Sequence, residues 1–174
     1  MKKFTDPFGD FKCIHCRAII SADPRLAGVH NRNHCPYCLW SRHMDLHKPG
    51  DRLCACKAPM QPLGLALKKA NKKYGGENQG ELMLIHRCTE CEKISINRIA
   101  ADDVPQTLLE VFAASQRLAA PIWAALLQSG IRPLESADAD IVHARLFGWS
   151  QTAVLSGTGA EPGRAREWSD PLAS

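Results

Sequence analysis

A chain of 174 residues with 45% hydrophobic, 6% aromatic and 23% charged positions has room for one domain with an appendage and excludes a large barrel enzyme. Its longest apolar runs extend only a few residues, against the roughly 20 needed to cross a bilayer, so neither a transmembrane segment nor a membrane partner is expected. The start, Met1-Lys2-Lys3-Phe4-Thr5-Asp6-Pro7, places acid and proline where a secretory signal needs an apolar stretch. A cytoplasmic protein is expected, and in that reducing pool eight cysteines hold metal more readily than disulfides.

The formal charge of +4 is unevenly spread: residues 1–104 carry 17 Lys and Arg against 11 Asp and Glu, and residues 105–174 carry 5 against 7. Two zinc ions on eight thiolates would lower the N-terminal excess to about +2, so local distribution matters more than the total. Up to residue 104 the punctuation by Asp23-Pro24, Lys48-Pro49-Gly50-Asp51 and Gly75-Gly76 predicts short strands and turns. Leu65 to Lys73, basic and partly apolar, fits a short helix closed by Gly75 or a basic loop, and Glu81 to His86 is the clearest strand. Pro105 in a first helical turn, with Leu108, Leu109, Phe112 and Leu118 at helical spacing, predicts a helix. A second begins near Pro121 and carries Ile122, Trp123, Leu126 and Leu127; a third, less marked, runs from Ala137 to Phe147. The expected organisation is a zinc-binding domain over residues 1–104, a helical segment over 105–155 and a mobile tail over 156–174. The fold class is small α+β: a zinc-ribbon-like, cysteine-rich domain of short strands with two zinc sites, followed by helices.

Cysteine spacing carries the chemistry. Cys13-x2-Cys16 and, 18 residues on, Cys35-x2-Cys38 have the spacing of a four-cysteine zinc site, because a two-residue spacer lets one tight turn aim two sulfurs at one ion. The second set is Cys54-x-Cys56 and Cys88-x2-Cys91, and its one-residue spacer strains joint ligation by Cys54 and Cys56. Two four-cysteine sites holding two zinc ions are the expectation, with His43, His47 or His86 as the residue that would replace a cysteine in the second. Interleaved pairing of the four cysteine pairs stays open on spacing alone.

Two other chemistries share these residues. Cys35-Pro36-Tyr37-Cys38 has the letters of a glutaredoxin active-site turn, but Val29 to His34 is not the buried strand such a site follows. His43-x-Asp45-x-His47 has the ligand types of a metal-dependent nuclease; the plainer reading has Asp45 capping the turn into Pro49-Gly50.

Arg32-Asn33-His34-Cys35-Pro36 spells the motif for which the RNHCP domain family is named. The chain resembles that family through Phe11 to Cys16, Arg32 to Cys38, Leu39 to Asp45, Pro49 to Arg52, Cys56 to Met60, His86 to Cys91 and Asn97 to Asp103. The resemblance covers roughly residues 11–104, implies the metal sites, and implies Cys56 rather than Cys54 as the recurrent ligand; it carries no settled biochemical role.

Arg32, Asn33, His34, Arg42, His43, Arg52, Arg87 and Arg98 adjoin knuckles or short turns, where side chains would be presented rigidly and outward. Arginine forks suit phosphate, and Asn or His can read base edges or sugar hydroxyls. Tyr37 and Trp40 could stack on an unpaired base, with packing the plainer role for the tryptophan, and Lys68, Lys69, Lys72 and Lys73 would add salt-sensitive attraction. For Arg98 and Arg52 a salt bridge is an equal reading. The expected function is non-catalytic binding of RNA or a ribosomal particle, RNA being preferred over DNA because no helix with base-reading side chains adjoins the basic residues. The alternatives are a nuclease using His43, Asp45 and His47, and an adaptor whose C-terminal helices present Phe112, Trp123 and Leu127 to a protein partner.

Overall fold

The computed structural model describes residues 9–48, 50–69 and 80–148. Lys72, Lys73, Gly75 and the tail expected over 156–174 lie outside these, as does the side chain of Lys69. Two short strands, β1 (Phe11–Lys12) and β2 (Ile19–Ile20), pair antiparallel as a hairpin, followed by the single helical turn α1 (Pro24–Ala27). Asp23 caps α1 by accepting from the Arg25 amide, and Gly28, at φ 67°, ends it. The main sheet has the order β3-β4-β5-β6, all antiparallel: β3 (Ser41–Arg42), β4 (Pro59–Lys69), β5 (Gly80–Cys88) and β6 (Ile94–Arg98). Helices α2 (Pro105–Ser115), α3 (Ala120–Gln128) and α4 (Ala139–Phe147) follow, the last entered through a 3-10 turn at Ser136–Asp138.

The basic run after Leu65 is therefore neither helix nor loop through Lys69. It is the second half of β4, with Leu67 opposite Leu82 and Lys68 opposite Glu81. Pairing with β5 overrides a local pattern that suits a helix, since each strand supplies the hydrogen bonds the other needs.

Residues 82–86 of β5 are all buried, which explains an unbroken Leu-Met-Leu-Ile run: this strand is covered on both faces. Leu82 and Leu84 join Leu65, Leu108, Phe112 and Val142 in one cluster, while Ile85 joins Leu63, Ala66 and Leu126 in another. Leu63 and Leu65 would share a face in a regular strand. The register shift between Pro62 and Gly64 inserts one residue and sends them to opposite faces. Gly64 also admits α2 closely, because a Cβ there would stand 2.9 Å from that of Ser115. The first core thus joins residues on both sides of position 104, with α2 and α4 docked on the sheet.

Candidate metal centres

Three of the cysteine turns repeat one local geometry. In the first, the Arg17 amide donates to the Cys13 carbonyl (3.1 Å) and the Cys13 amide to the Ala18 carbonyl (2.8 Å); in the second, Leu39 donates to Cys35 (2.8 Å) and Cys35 to Trp40 (2.9 Å). The third shows the same Cys88 to Lys93 bond at 2.9 Å. The residue directly after the last cysteine is left-handed in every case, with φ of 68° at Arg17, 60° at Leu39 and 60° at Glu92; Lys57, after Cys56, joins them at 52°. Non-glycine residues enter this region at a cost of about 1–2 kcal/mol, so something must hold them there. The turn directs amides at sulfur, as the His15 amide does toward Cys13 Sγ at 3.4 Å.

The ligand atoms of Cys13, Cys16, Cys35 and Cys38 all lie within 4.8 Å of one another, and so do those of His43, Cys56, Cys88 and Cys91. Each tetrad could hold a metal ion. Sulfur separations are 3.6 Å for Cys13 to Cys38, 3.5 Å for Cys16 to Cys35 and 3.6 Å for Cys56 to Cys88, far beyond a disulfide bond. They approach the edge of about 3.8 Å that a tetrahedron with metal–sulfur distances of about 2.3 Å requires. Cys91 Sγ stands 3.3 Å from His43 Nδ1, matching a slightly shorter sulfur–nitrogen edge.

Ionisation within the tetrads fits a cation. Burial raises the Cys13 pKa, yet amides of Cys16 and His15 and the neighbouring thiols more than reverse this, to about 7. Burial drives Cys35 up to about 11 and Cys38 higher still, and the thiols of Cys13, Cys35 and Cys16 add to the rise at Cys38. In the second tetrad burial raises Cys88, yet the amides of Cys91 and Glu90 and the thiols of Cys91 and Cys56 together more than reverse this, while burial and its sulfur neighbours raise Cys91. Each group thus sets a lowered thiol, Cys13 or Cys88, beside raised ones, Cys35 and Cys38 or Cys91, a conflict a bound divalent cation removes. The pKa of His43 is lowered, by burial and then by Lys93, which favours the neutral imidazole a metal needs.

The second four-cysteine site is thereby corrected. Cys54 is outside the tetrad; it is buried, 4% exposed, and its amide donates to the Met44 carbonyl at 2.9 Å, a packing role in the loop. His43, held at the end of β3 by the hydrogen bond its amide donates to the Ala58 carbonyl, occupies the fourth place. The pairing is consecutive in the first tetrad, so interleaving is absent there. The one-residue spacer of Cys54-x-Cys56 was the sequence signal, and spacing alone did not distinguish His43 from His47 or His86.

The other histidine-based readings dissolve as well. Asp45 accepts from the amides of Gly50 (2.8 Å) and Arg52 (3.1 Å), His47 is exposed, and His43 faces sulfur, so among the described residues these three are not gathered as one ligand set. His86 is fully buried between the Leu39 carbonyl, 2.7 Å from its Nε2, and the Asn97 amide nitrogen, 2.8 Å from its Nδ1. These partners set a neutral tautomer with the proton on Nε2; burial, then His34, lowers its pKa to about 3.

Arg32 and His34 of the Arg-Asn-His run face inward, and Asn33 between them is half-buried. The Arg32 guanidinium is fully buried, donating to both oxygens of Asp102 and, at 3.1 Å, to the Ser21 carbonyl. Asn33 donates to Asn97 Oδ1 at 3.2 Å, and His34 Nε2 lies 2.8 Å from Asp103, whose carboxylate also accepts the Ala100 amide. Each of the three side chains therefore ties the first tetrad to the segment 97–103 that leaves the sheet. Outward presentation of Arg32 and His34 to a nucleic acid is corrected, because a paired group in the interior is lost to a partner, whereas Asn33 is half-buried and stays partly open to solvent.

Of the other basic residues expected at a binding surface, Arg87 pairs with Glu92, and Arg98 with Glu81 at 3.0 Å. Arg42, Arg52 and Lys68 are exposed, as is Lys12, which the motif reading passed over. Tyr37 is exposed, whereas Trp40 is half-buried with His15 stacked on it at 4.4 Å between ring centroids. Phe112 is buried in the main core, so it is not offered to a protein partner; Trp123 is half-buried and Leu127 exposed. No helix among the described residues is long and apolar enough to cross a membrane.

No protein of curated function and no solved structure matches the chain. The sequence pattern of the RNHCP domain matches residues 8–109, a span that takes in both tetrads and the segment bound by Arg32, Asn33 and His34, and the chain belongs to the RNHCP domain family.

Proposed function

We propose that this is a non-catalytic protein built on two structural zinc ions, one per tetrad, that binds RNA or a ribosomal particle. The observation that carries the reading is the completeness of both tetrads: four protein ligands close each one, whereas a catalytic zinc keeps a position for water or substrate. Three thiolates or four favour zinc over the harder divalent cations. Cationic side chains free of ion pairs among the described residues, Lys12, Arg42 and Lys68, support the nucleic-acid half. Lys12 beside Cys13 and Arg42 beside His43 would be presented by zinc-closed ligand positions with little loss of side-chain freedom on binding.

The test is sedimentation of the full chain from gently lysed cells through a density gradient, with zinc measured in the same fractions. Comigration with ribosomal particles, abolished by ribonuclease or high salt, at two zinc ions per chain is the expected result. Migration as a small free protein in every condition would remove the RNA reading.

A further inference from the structure

A cleft of about 380 Å³ opens between the β1–β2 hairpin and β3, large enough for a small organic ligand. Its wall carries two kinds of group. Phe11, Ile14, Trp40 and Met44 supply apolar and aromatic surface, and Lys12, Arg42 and Arg52 supply positive charge; no Asp or Glu among the described residues lines it. Arg42 sits on β3, and the guanidinium of Arg52 donates to the Arg32 carbonyl at 3.3 Å, so two of the cations stand on fixed backbone. One face of Trp40 is already covered by His15, which fixes the ring. The neighbouring cleft beside His43, about 60 Å³, holds no more than water.

We propose that this cleft binds a single nucleotide, its base against Trp40 and Phe11 and its phosphate held by Lys12, Arg42 and Arg52. Aromatic surface without charge would suit any apolar ligand, and charge without aromatic surface would suit any anion; the two together match a phosphate carried on a flat ring. The phosphate has two possible sources, a free mononucleotide or an unpaired nucleotide of RNA. The second source rests on the RNA reading above, and the site itself does not. Because Cys13 lines the same cleft, an occupied site also braces the first tetrad.

The experiment titrates the zinc-loaded full chain, by calorimetry, with adenosine 5′-monophosphate, adenosine, inorganic phosphate, and one short oligoribonucleotide in single-stranded and duplex form. The expected order places the mononucleotide at least about tenfold tighter than adenosine or phosphate, each of which lacks half of the contacts. Arg42→Ala and Lys12→Ala, both at exposed positions, each weaken it by about tenfold at unchanged zinc content, and Trp40→Phe weakens it less. Phosphate binding as tightly as the mononucleotide, or no binding by any of the three small ligands, would overturn the site. Oligonucleotide binding untouched by Arg42→Ala and Lys12→Ala would also overturn it while leaving the RNA reading standing. Mononucleotide binding that both variants abolish, with no affinity for the single strand, supports the cleft and ends the RNA reading.

Discussion

The two tetrads solve the same coordination problem on different foundations. The first stands on a hairpin of two-residue strands, and the cluster around it consists of Cys13, Ile20 and Cys35 with Phe11, Ala18 and Cys38 at its margin: the ligands are themselves the local core. The second stands at one end of a four-stranded sheet whose β4 and β5 are packed by Leu and Ile on both faces, and only Ala58 and Met60 share a cluster with its Cys88. Where burial of apolar area is scarce, a bound metal would have to supply folding energy; where a sheet already exists, it would fasten the sheet's edge. Cys16, Cys56 and Cys91 are exposed, so each tetrad can be reached from solvent, and the difference between them is structural rather than a matter of access.

Breaking one tetrad at a time gives the largest expected contrast. Cys35→Ser should release one zinc and unfold residues 9–42 as a unit, with the loss of stability limited only by what that segment had, several kcal/mol on the scale of structural zinc. His43→Ala should also release one zinc yet leave β4 and β5 protected in amide exchange. Equal loss of protection in both variants would erase the contrast. His43→Cys should restore the second ion.

The next effect concerns what joins the tetrads. Asp103→Ala strands the buried His34 and one amide and leaves Arg32 with one carboxylate fewer nearby. A loss of about 3–5 kcal/mol is expected in urea unfolding, with both zinc ions still bound in native buffer. Cys54→Ala, by contrast, should cost only about 1 kcal/mol and leave zinc at two per chain, since its thiol serves neither tetrad. A drop to one zinc would return Cys54 to the ligand set.

Smaller effects sharpen the comparison through the backbone. Arg17→Gly in the first tetrad and Lys57→Gly in the second each relieve a left-handed residue and should stabilise by about 1 kcal/mol or less, read as a raised urea midpoint. In the loop before Cys54, amides of Leu46, Lys48, Leu53 and His47 hold the Asp51 carboxyl well below the usual carboxylate range. A group whose pKa is depressed on folding contributes above its unfolded value, about 4, and that contribution fades as pH falls toward the depressed one. Exchange protection of the Leu46, His47 and Lys48 amides should therefore persist at pH 4 and decline below it, and Asp51→Asn should remove most of it at neutral pH.

Much of this was legible in the chain itself. Two-residue spacers named three of the four metal-binding turns because the constraint is local: two sulfurs on one turn need that spacing and little else. The β5 strand and the three C-terminal helices were legible for a similar reason, the strand as an unbroken apolar run and each helix by its own apolar period. Pro105 and the runs that follow it state a helix whatever they pack on.

What tertiary structure alone decided are the choices between chemically equal candidates. Three histidines were eligible for the second tetrad, and only the placement of β3 beside β4 brings His43 to the three thiols while His86 turns inward to Leu39. Arginines that read alike in sequence divide into a buried fork on Asp102, surface pairs with Glu92 and Glu81, and Arg42 at a cleft. Lys68 belongs to a strand because Glu81 stands opposite it, some dozen residues along the chain. Ligand spacing and periodicity are properties of neighbours in sequence and can be read there; partner choice is a competition among distant residues, and the packed chain settles it by which of them desolvation brings together.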